Sequence, residues 1–274
     1  MFDSVLLFRE ALYGALVIGV ACSVLSVYVV LRRIVFVGAA LAEISSASIA
    51  LGLWLTGVGI APAVTSHPLG LSIAITLASA VIFGVGDAKS RVPADANIGV
   101  AYAVAAALGI LLISKAKTGE AHDIFLQGNI LGITRTDTLT LIAVAVPVLL
   151  VHSIFYKEFL FVSFDRETAR TLGFNVTGWE LLLYLTLGLV IAVAMQFAGV
   201  MLVFNFLVLP AVTAMLLAHS MGGMFIWSIG AALAAALVGF TISIPFDLPT
   251  GPAIIAVSGA LVIAAWLARS FQRR

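Results

Sequence analysis

Residues 28–52 read YVVLRRIVFVGAALAEISSASIALG. One apolar run ends at Leu31, Arg32 and Arg33 interrupt it, and a second run begins at once with a single carboxylate, Glu43, inside it. Two segments able to cross roughly 30 Å of hydrocarbon as helices, joined by a basic corner, are the pattern of a polytopic membrane protein. The composition of the 274 residues agrees, at 62% hydrophobic and 10% charged. Such a composition excludes a soluble enzyme, and a net charge of +1 gives no reason to expect a nucleic-acid partner. The one cysteine, Cys22, lies in the first apolar run and reads as a small core hydrophobe.

Working outward, apolar stretches recur near 11–31, 34–57, 69–86, 97–114, 138–156, 180–197, 200–218, 223–243 and 252–268. The expectation is an all-α membrane protein of about nine transmembrane helices, eight to ten being compatible, built as one transmembrane domain over 1–274. Gln196, Ala198 and Gly199 offer a turn in the middle of 180–218. Alternation puts Arg32, Arg33, Lys89, Arg91, Lys157, Arg166, Arg170, Arg269, Arg273 and Arg274 on one side, and Arg9, Lys115, Lys117 and Arg135 on the other. The basic excess marks the first side as cytoplasmic, so the N-terminus is expected outside and the C-terminus inside.

Two connections of about twenty residues carry most of the polar chemistry. The outer one, 115–137, contains Glu120, His122 and Asp123. Imidazole and carboxylate there suit a transient divalent cation, although a solvated loop also produces such a cluster by chance. The inner one reads KEFLFVSFDRETARTLGFNVTG over 157–178. Asp165 can cap a short helix, about 163–173, with Glu167 near its start, Arg170 near its end and Gly173 as its stop. A helix lying on the cytoplasmic surface is expected.

An ionised group at mid-membrane costs about 2.5–3.5 kcal/mol on insertion scales, so each must face protein or water. Glu43 sits among Gly38, Ala42, Ser46 and Ala50, small residues four apart that allow close helix packing, with Ser45, Ser48 and Gly52 adding to them. Two readings stand for it, a structural carboxyl or a cation contact. Gln196 and Asn205 read either as interhelical amides or as path-lining groups, and Pro210 as a kink or as the break of a substrate-binding helix. No Gly-Lys pair of a phosphate-binding loop, H-E-x-x-H helix or G-x-S-x-G elbow appears, so ATP hydrolysis and proteolysis have no motif in this chain.

The stretches 28–52, ADANIGVAYAVAAALGILL (94–112), FLQGNILGIT (125–134), KEFLFVSFDRETARTLGF (157–174), MQFAGVMLVFNFLVLPAVTAMLLA (195–218) and DLPTGPAII (247–255) together resemble the permease subunits of ABC importers for zinc, manganese and iron. The resemblance implies a homodimeric permease in a prokaryotic plasma membrane, binding no cofactor of its own. It would work with a dimer of separate ATPase chains and a periplasmic or extracellular metal-binding protein. Segment 157–174, with Asp165, Arg166, Glu167, Arg170 and Gly173, looks like the helix that docks on the ATPase. Members of that family commonly carry G-D-A-L-S-H-A-S in the second span; here Ala39 and Glu43 stand at the aspartate and histidine positions. An oxygen contact at Glu43 would tilt the cargo toward manganese or iron over zinc. The alternative function is an ion-coupled secondary carrier without an ATPase, and a third reading is a membrane scaffold. The 165–173 segment argues against the carrier, and Glu43 against the scaffold.

Overall fold

The computed structural model describes residues 8–59, 68–85, 93–115 and 130–272, and among these the regular structure is entirely helical. In chain order the helices are α1 (Arg9–Leu31), α2 (Val35–Val58), α3 (Pro68–Val85), α4 (Ala94–Lys115), α5 (Arg135–Ile154), α6 (Tyr156–Phe164), α7 (Arg166–Thr171), α8 (Val176–Leu217), α9 (Met221–Ser243) and α10 (Thr250–Gln272), with a single 3-10 turn at Ile130–Gly132 before α5.

The ends of these helices follow local chemistry. Thr134 and Asp137 form a reciprocal capping box at the start of α5, Asn175 accepts from the Gly178 amide at the start of α8, and Ser220 accepts from the Gly223 amide at the start of α9. Gly59 ends α2 in the left-handed region, where a side chain is strained. The α1–α2 corner is made by Arg33, which takes φ +58 itself.

By length and hydropathy seven helices are able to cross a membrane: α1, α2, α4, α5, α8, α9 and α10. The apolar part of α3, Leu69–Val85, is shorter. This differs from the expected nine for two reasons: α3 is short, and α8 takes both of the spans expected over 180–218 into one run of 42 residues. At 1.5 Å per residue it would be about 63 Å long if straight, roughly twice the hydrocarbon thickness. It is not straight. Gly199 has φ 72 and ψ 166, inside what is otherwise helix.

The neighbours of α8 show that the chain turns back there. Before Gly199, Glu180 bonds Arg32 at the end of α1, and Val190, Val193 and Ala194 lie against Val17, Ile18 and Ala21. After it, Phe206 lies against Gly19, while Ala211 and Ala214 pack with Val27. The first limb therefore climbs along α1 and the second descends beside it. The turn thus falls at Gly199, inside the Gln196, Ala198 and Gly199 stretch where it was expected, and Pro210 lies in the second limb, which stays helical through it to Leu217. A left-handed φ at ψ 166 reverses the chain at no steric cost only for glycine, whereas Pro210 merely removes one amide donor.

The core lies where α1, α2 and α8 meet, with Tyr28, Leu25, Leu41, Leu187, Phe206 and Leu207 fully buried. Small residues allow the closest approaches: Gly188 meets Ala80 of α3, and Gly239 of α9 meets the Ile254 backbone of α10. The outward faces of α4, α5, α9 and α10 expose Leu108, Leu111, Leu150, Ile226, Ile263 and Trp266. Surface of this kind is too apolar for water and suits lipid, so the chain is a multi-pass membrane protein.

Candidate functional site

On α2, the residues 39, 43, 46 and 50 fall on one face at helical spacing, and all four are buried. Glu43 is 8% exposed, and among the described residues its carboxylate has neither a hydrogen bond nor an ion pair. One turn on, the Ser46 hydroxyl is also buried without a partner. Neighbouring hydroxyls are satisfied: Ser48 donates to the Ile44 carbonyl at 2.6 Å, and the Ser45 and Ser72 hydroxyls lie 2.9 Å apart, joining α2 to α3. Glu43 and Ser46 are thus oxygen groups with free capacity on one face of α2; Tyr28 Oη on α1 and Thr76 Oγ1 on α3 are likewise buried without a partner. Buried polar groups are bonded in the great majority of cases, so an unbonded pair on one face calls for an explanation.

The second limb of α8 packs on this helix, a Cβ at Gly38 meeting Leu207 Cδ1 at 3.3 Å. Asn205, two residues before Leu207, is 2% exposed; its Nδ2 donates to Ser258 Oγ of α10 at 3.1 Å, and its Oδ1 is unpartnered. Pro210 is buried on the same limb, whereas Gln196 is exposed at the head of the other. His122 and Asp123 lie outside the described residues. Among the described residues, no three His, Cys, Asp or Glu side chains gather.

At the other end of the molecule, α6 and α7 form the connection between α5 and α8. The single helix expected over about 163–173 is two helices, because Asp165 at φ −141 and ψ 88 ends α6 and caps α7. Its Oδ1 accepts from the Thr168 amide at 2.9 Å. Hydrogen bonds from the Thr168 side chain and amide hold the exposed Asp165 carboxyl below its ordinary value. Gly173 at φ +84 follows α7 with nothing within 4 Å of its Cβ position. Glu167 and Arg170 are exposed, while Ala169 beneath them is fully buried with Val162 and Val176. A polar ridge is thus held on an apolar foot.

Arg166 behaves differently from its neighbours. Its Nη2 donates to Oε2 of Glu180, and Arg32 Nη2 donates to Oε1 of the same carboxylate. Sequence reading missed Glu180, which stands at the very edge of an apolar run and looks like an interfacial charge. Only tertiary structure brings it to Arg32, 148 residues away in the chain. His152 lies in the last turn of α5. It stacks on Phe159 with centroids 4.2 Å apart, lies 2.9 Å through Nε2 from Thr186 Oγ1, and leaves Nδ1 unpartnered.

A helical bundle with a lone carboxylate in one span and a capped two-helix elbow at one end is an arrangement for which sequence relatives are informative. The model of the ABC 3 transport family matches residues 4–269. The chain belongs to the ABC 3 transport family. It is 31% identical over 264 residues to the manganese transport system membrane protein MntC of Listeria monocytogenes, covering 94% of this chain and 89% of that one. It is 29% identical to the chelated iron transport system membrane protein YfeD of Yersinia pestis, covering 94% and 84% respectively. Among solved structures, PsaBC from Streptococcus pneumoniae in complex with Fab superposes with a TM-score of 0.83 at 28% identity, covering 97% of this chain and 94% of that one. Membership of the ABC 3 family extends from α1 to α10, so the α6–α7 elbow and the Glu43 helix both fall inside the matched length.

Proposed function

We propose that this chain is the membrane-spanning permease of an ATP-driven importer in a prokaryotic plasma membrane. It passes manganese or iron inward after delivery by a binding protein on the outer side, works as a homodimer, and leaves ATP hydrolysis to a pair of separate ATPase chains. The observation that carries this reading is the full-length likeness to a manganese and a chelated-iron transport protein. In this reading the chain crosses the bilayer nine times, the two limbs of α8 counting separately because of the reversal at Gly199 and the shorter α3 supplying the ninth span. α7 and the C-terminal end of α10 are cytoplasmic.

The metal is cargo, and Glu43 is its contact on the path, with the Ser46 hydroxyl one turn away. Carboxylate and hydroxyl oxygens are hard donors, which suits manganese and iron better than zinc. Asn205, on the second limb, supplies an amide oxygen, Pro210 lies further along that limb, and Gln196 belongs to the exposed head of the first limb. His122 and Asp123 receive the ion from outside. A sparse oxygen path binds the ion weakly enough to release it, and a hydrated route lets Glu43 ionise where lipid would keep it neutral. Asp165, Glu167, Arg170 and Gly173 shape the ridge that docks on the ATPase, and Arg166 anchors that ridge inward.

Reconstitution separates this from an ion-coupled secondary carrier. Proteoliposomes holding the chain with its ATPase should take up Mn2+ only with ATP, and those holding the chain alone should take up none. Mn2+ uptake by the chain alone, driven by an ion gradient, would establish the carrier instead.

A further inference from the structure

Glu180 uses both of its oxygens on two guanidiniums that belong to different parts of the molecule. Arg32 is the residue after α1 and stands three positions before α2, the helix that carries Glu43. Arg166 is the first residue of α7. The carboxylate itself lies in the second turn of α8. One buried group therefore joins the elbow, the α1–α2 corner and the foot of α8.

The two bonds are unequal. Arg32 and Glu180 side chains are each 7% exposed, so that pair is sealed from water and cannot be broken without stranding a buried charge. The Arg166 side chain is 61% exposed, so water can take over its guanidinium when the bond opens. Glu180 thus keeps a permanent partner on the transmembrane side and a releasable one on the elbow. Apart from the Arg166 bond, the elbow's own backbone hydrogen bonds and the Asp165 cap, the contact of the elbow with the foot of α8 is apolar, through Ala169, Val162, Val176 and Phe161. The ion pair is the side-chain link between the start of α7 and the α1–α2 corner.

We infer that Glu180 is a positioning residue that latches α7 to the α1–α2 corner, so that movement of α7 is passed to the Glu43 helix, with Arg166 as the hand that grips and releases. This inference rests on the reading of α7 as the ATPase-docking helix. A small displacement there is transmitted because the Arg32–Glu180 pair is rigid and packed. Charge placement also favours the arrangement, since two arginines around one carboxylate leave the cluster positive on the side expected to face the cytoplasm.

The experiment uses the permease reconstituted with its ATPase, reading Mn2+ taken up per ATP hydrolysed, together with copurification of the two subunits and the melting temperature of the complex. Arg166→Gln should keep the melting temperature and the copurification, continue to hydrolyse ATP, and lower the Mn2+-to-ATP ratio by roughly an order of magnitude. Arg166→Lys, which keeps a charge but loses the planar fork, should recover part of the ratio. Glu180→Gln should lower the ratio likewise wherever it remains assembled. A wild-type ratio in Arg166→Gln overturns the latch. Loss of copurification in that variant also overturns it, because Arg166 would then be a docking contact. Failure of the underlying reading shows separately, as a charge reversal at Asp165 and Arg170 that leaves ATPase binding intact.

Discussion

Gly239 on α9 meets Ile254 on α10 so closely that a Cβ at Gly239 would lie 2.5 Å from Ile254 Cα and 2.8 Å from its amide nitrogen. The obstacle is backbone, which cannot rotate aside as a side chain can. Van der Waals packing of small residues holds helices together where lipid removes the hydrophobic drive, and this contact is the tightest such glycine contact among the described residues.

Gly239→Ala should therefore push α9 and α10 apart, at a cost of about 1–3 kcal/mol from overpacking. Gly230, on the same helix with nothing within 4 Å, provides the control. Thermal unfolding in detergent, followed by the loss of the monodisperse peak in size-exclusion chromatography, should show a lowered midpoint for Gly239→Ala and little change for Gly230→Ala. Equal midpoints would contradict the contact.

Glu43→Gln keeps size and hydrogen bonding and removes the charge. A carboxylate that merely fills space tolerates that change, whereas a cation contact does not. We expect normal expression and ATPase association, strongly reduced Mn2+ uptake, and partial activity in Glu43→Asp. Uptake at the wild-type level in Glu43→Gln would return the residue to a packing role and shift attention to Asn205.

Reversing the charges at Asp165 and Arg170 together should abolish copurification with the ATPase while the permease remains folded and inserted. Both side chains are exposed, and losing the Asp165 cap weakens only the six-residue α7, so the transmembrane bundle stays folded. Retained complex formation and uptake in the double variant would remove the docking assignment.

The depressed Asp165 carboxyl gives a sign for pH dependence. Its folded value lies below the unfolded one, so its stabilisation of α7 is fully present above the ordinary carboxylate range and is lost only as pH falls through the folded value. Coupling through this cap should stay constant across neutral and mildly acidic pH. Loss of uptake near neutrality that Asp165→Asn removed would show the sign to be wrong.

Crossing number and orientation are open to labelling on a Cys22→Ser background. Arg166→Cys should resist an impermeant reagent applied from outside, and Arg135→Cys, at the opposite end of α5, should react. The reverse pattern would invert the topology.

Much of this protein is legible without coordinates because lipid leaves so few options. Every backbone amide within a bilayer must be bonded inside its own segment, so long apolar runs become helices, and Lys and Arg between them report which ends lie together. The α7 cap was readable for a similar reason: Asp165 and Gly173 act on neighbours within one turn. Glu43 stood out because a lone ionisable group in an apolar run is costly wherever it points. The turn at Gly199 was legible from Gln196, Ala198 and Gly199 in mid-run, whereas the way the two limbs pack antiparallel to each other along α1 was not. Glu180 and His152 could not be read at all. Their roles depend on Arg32, Arg166, Thr186 and Phe159, which come from other helices, and pairing across such distances is fixed by how the helices cross and not by any local spacing. The sequence determined the solvent, the segments and their caps. Tertiary structure decided which carboxylate is left unbonded on α2 and which is clasped between two arginines, because a buried charge takes its meaning from the partners that packing brings to it.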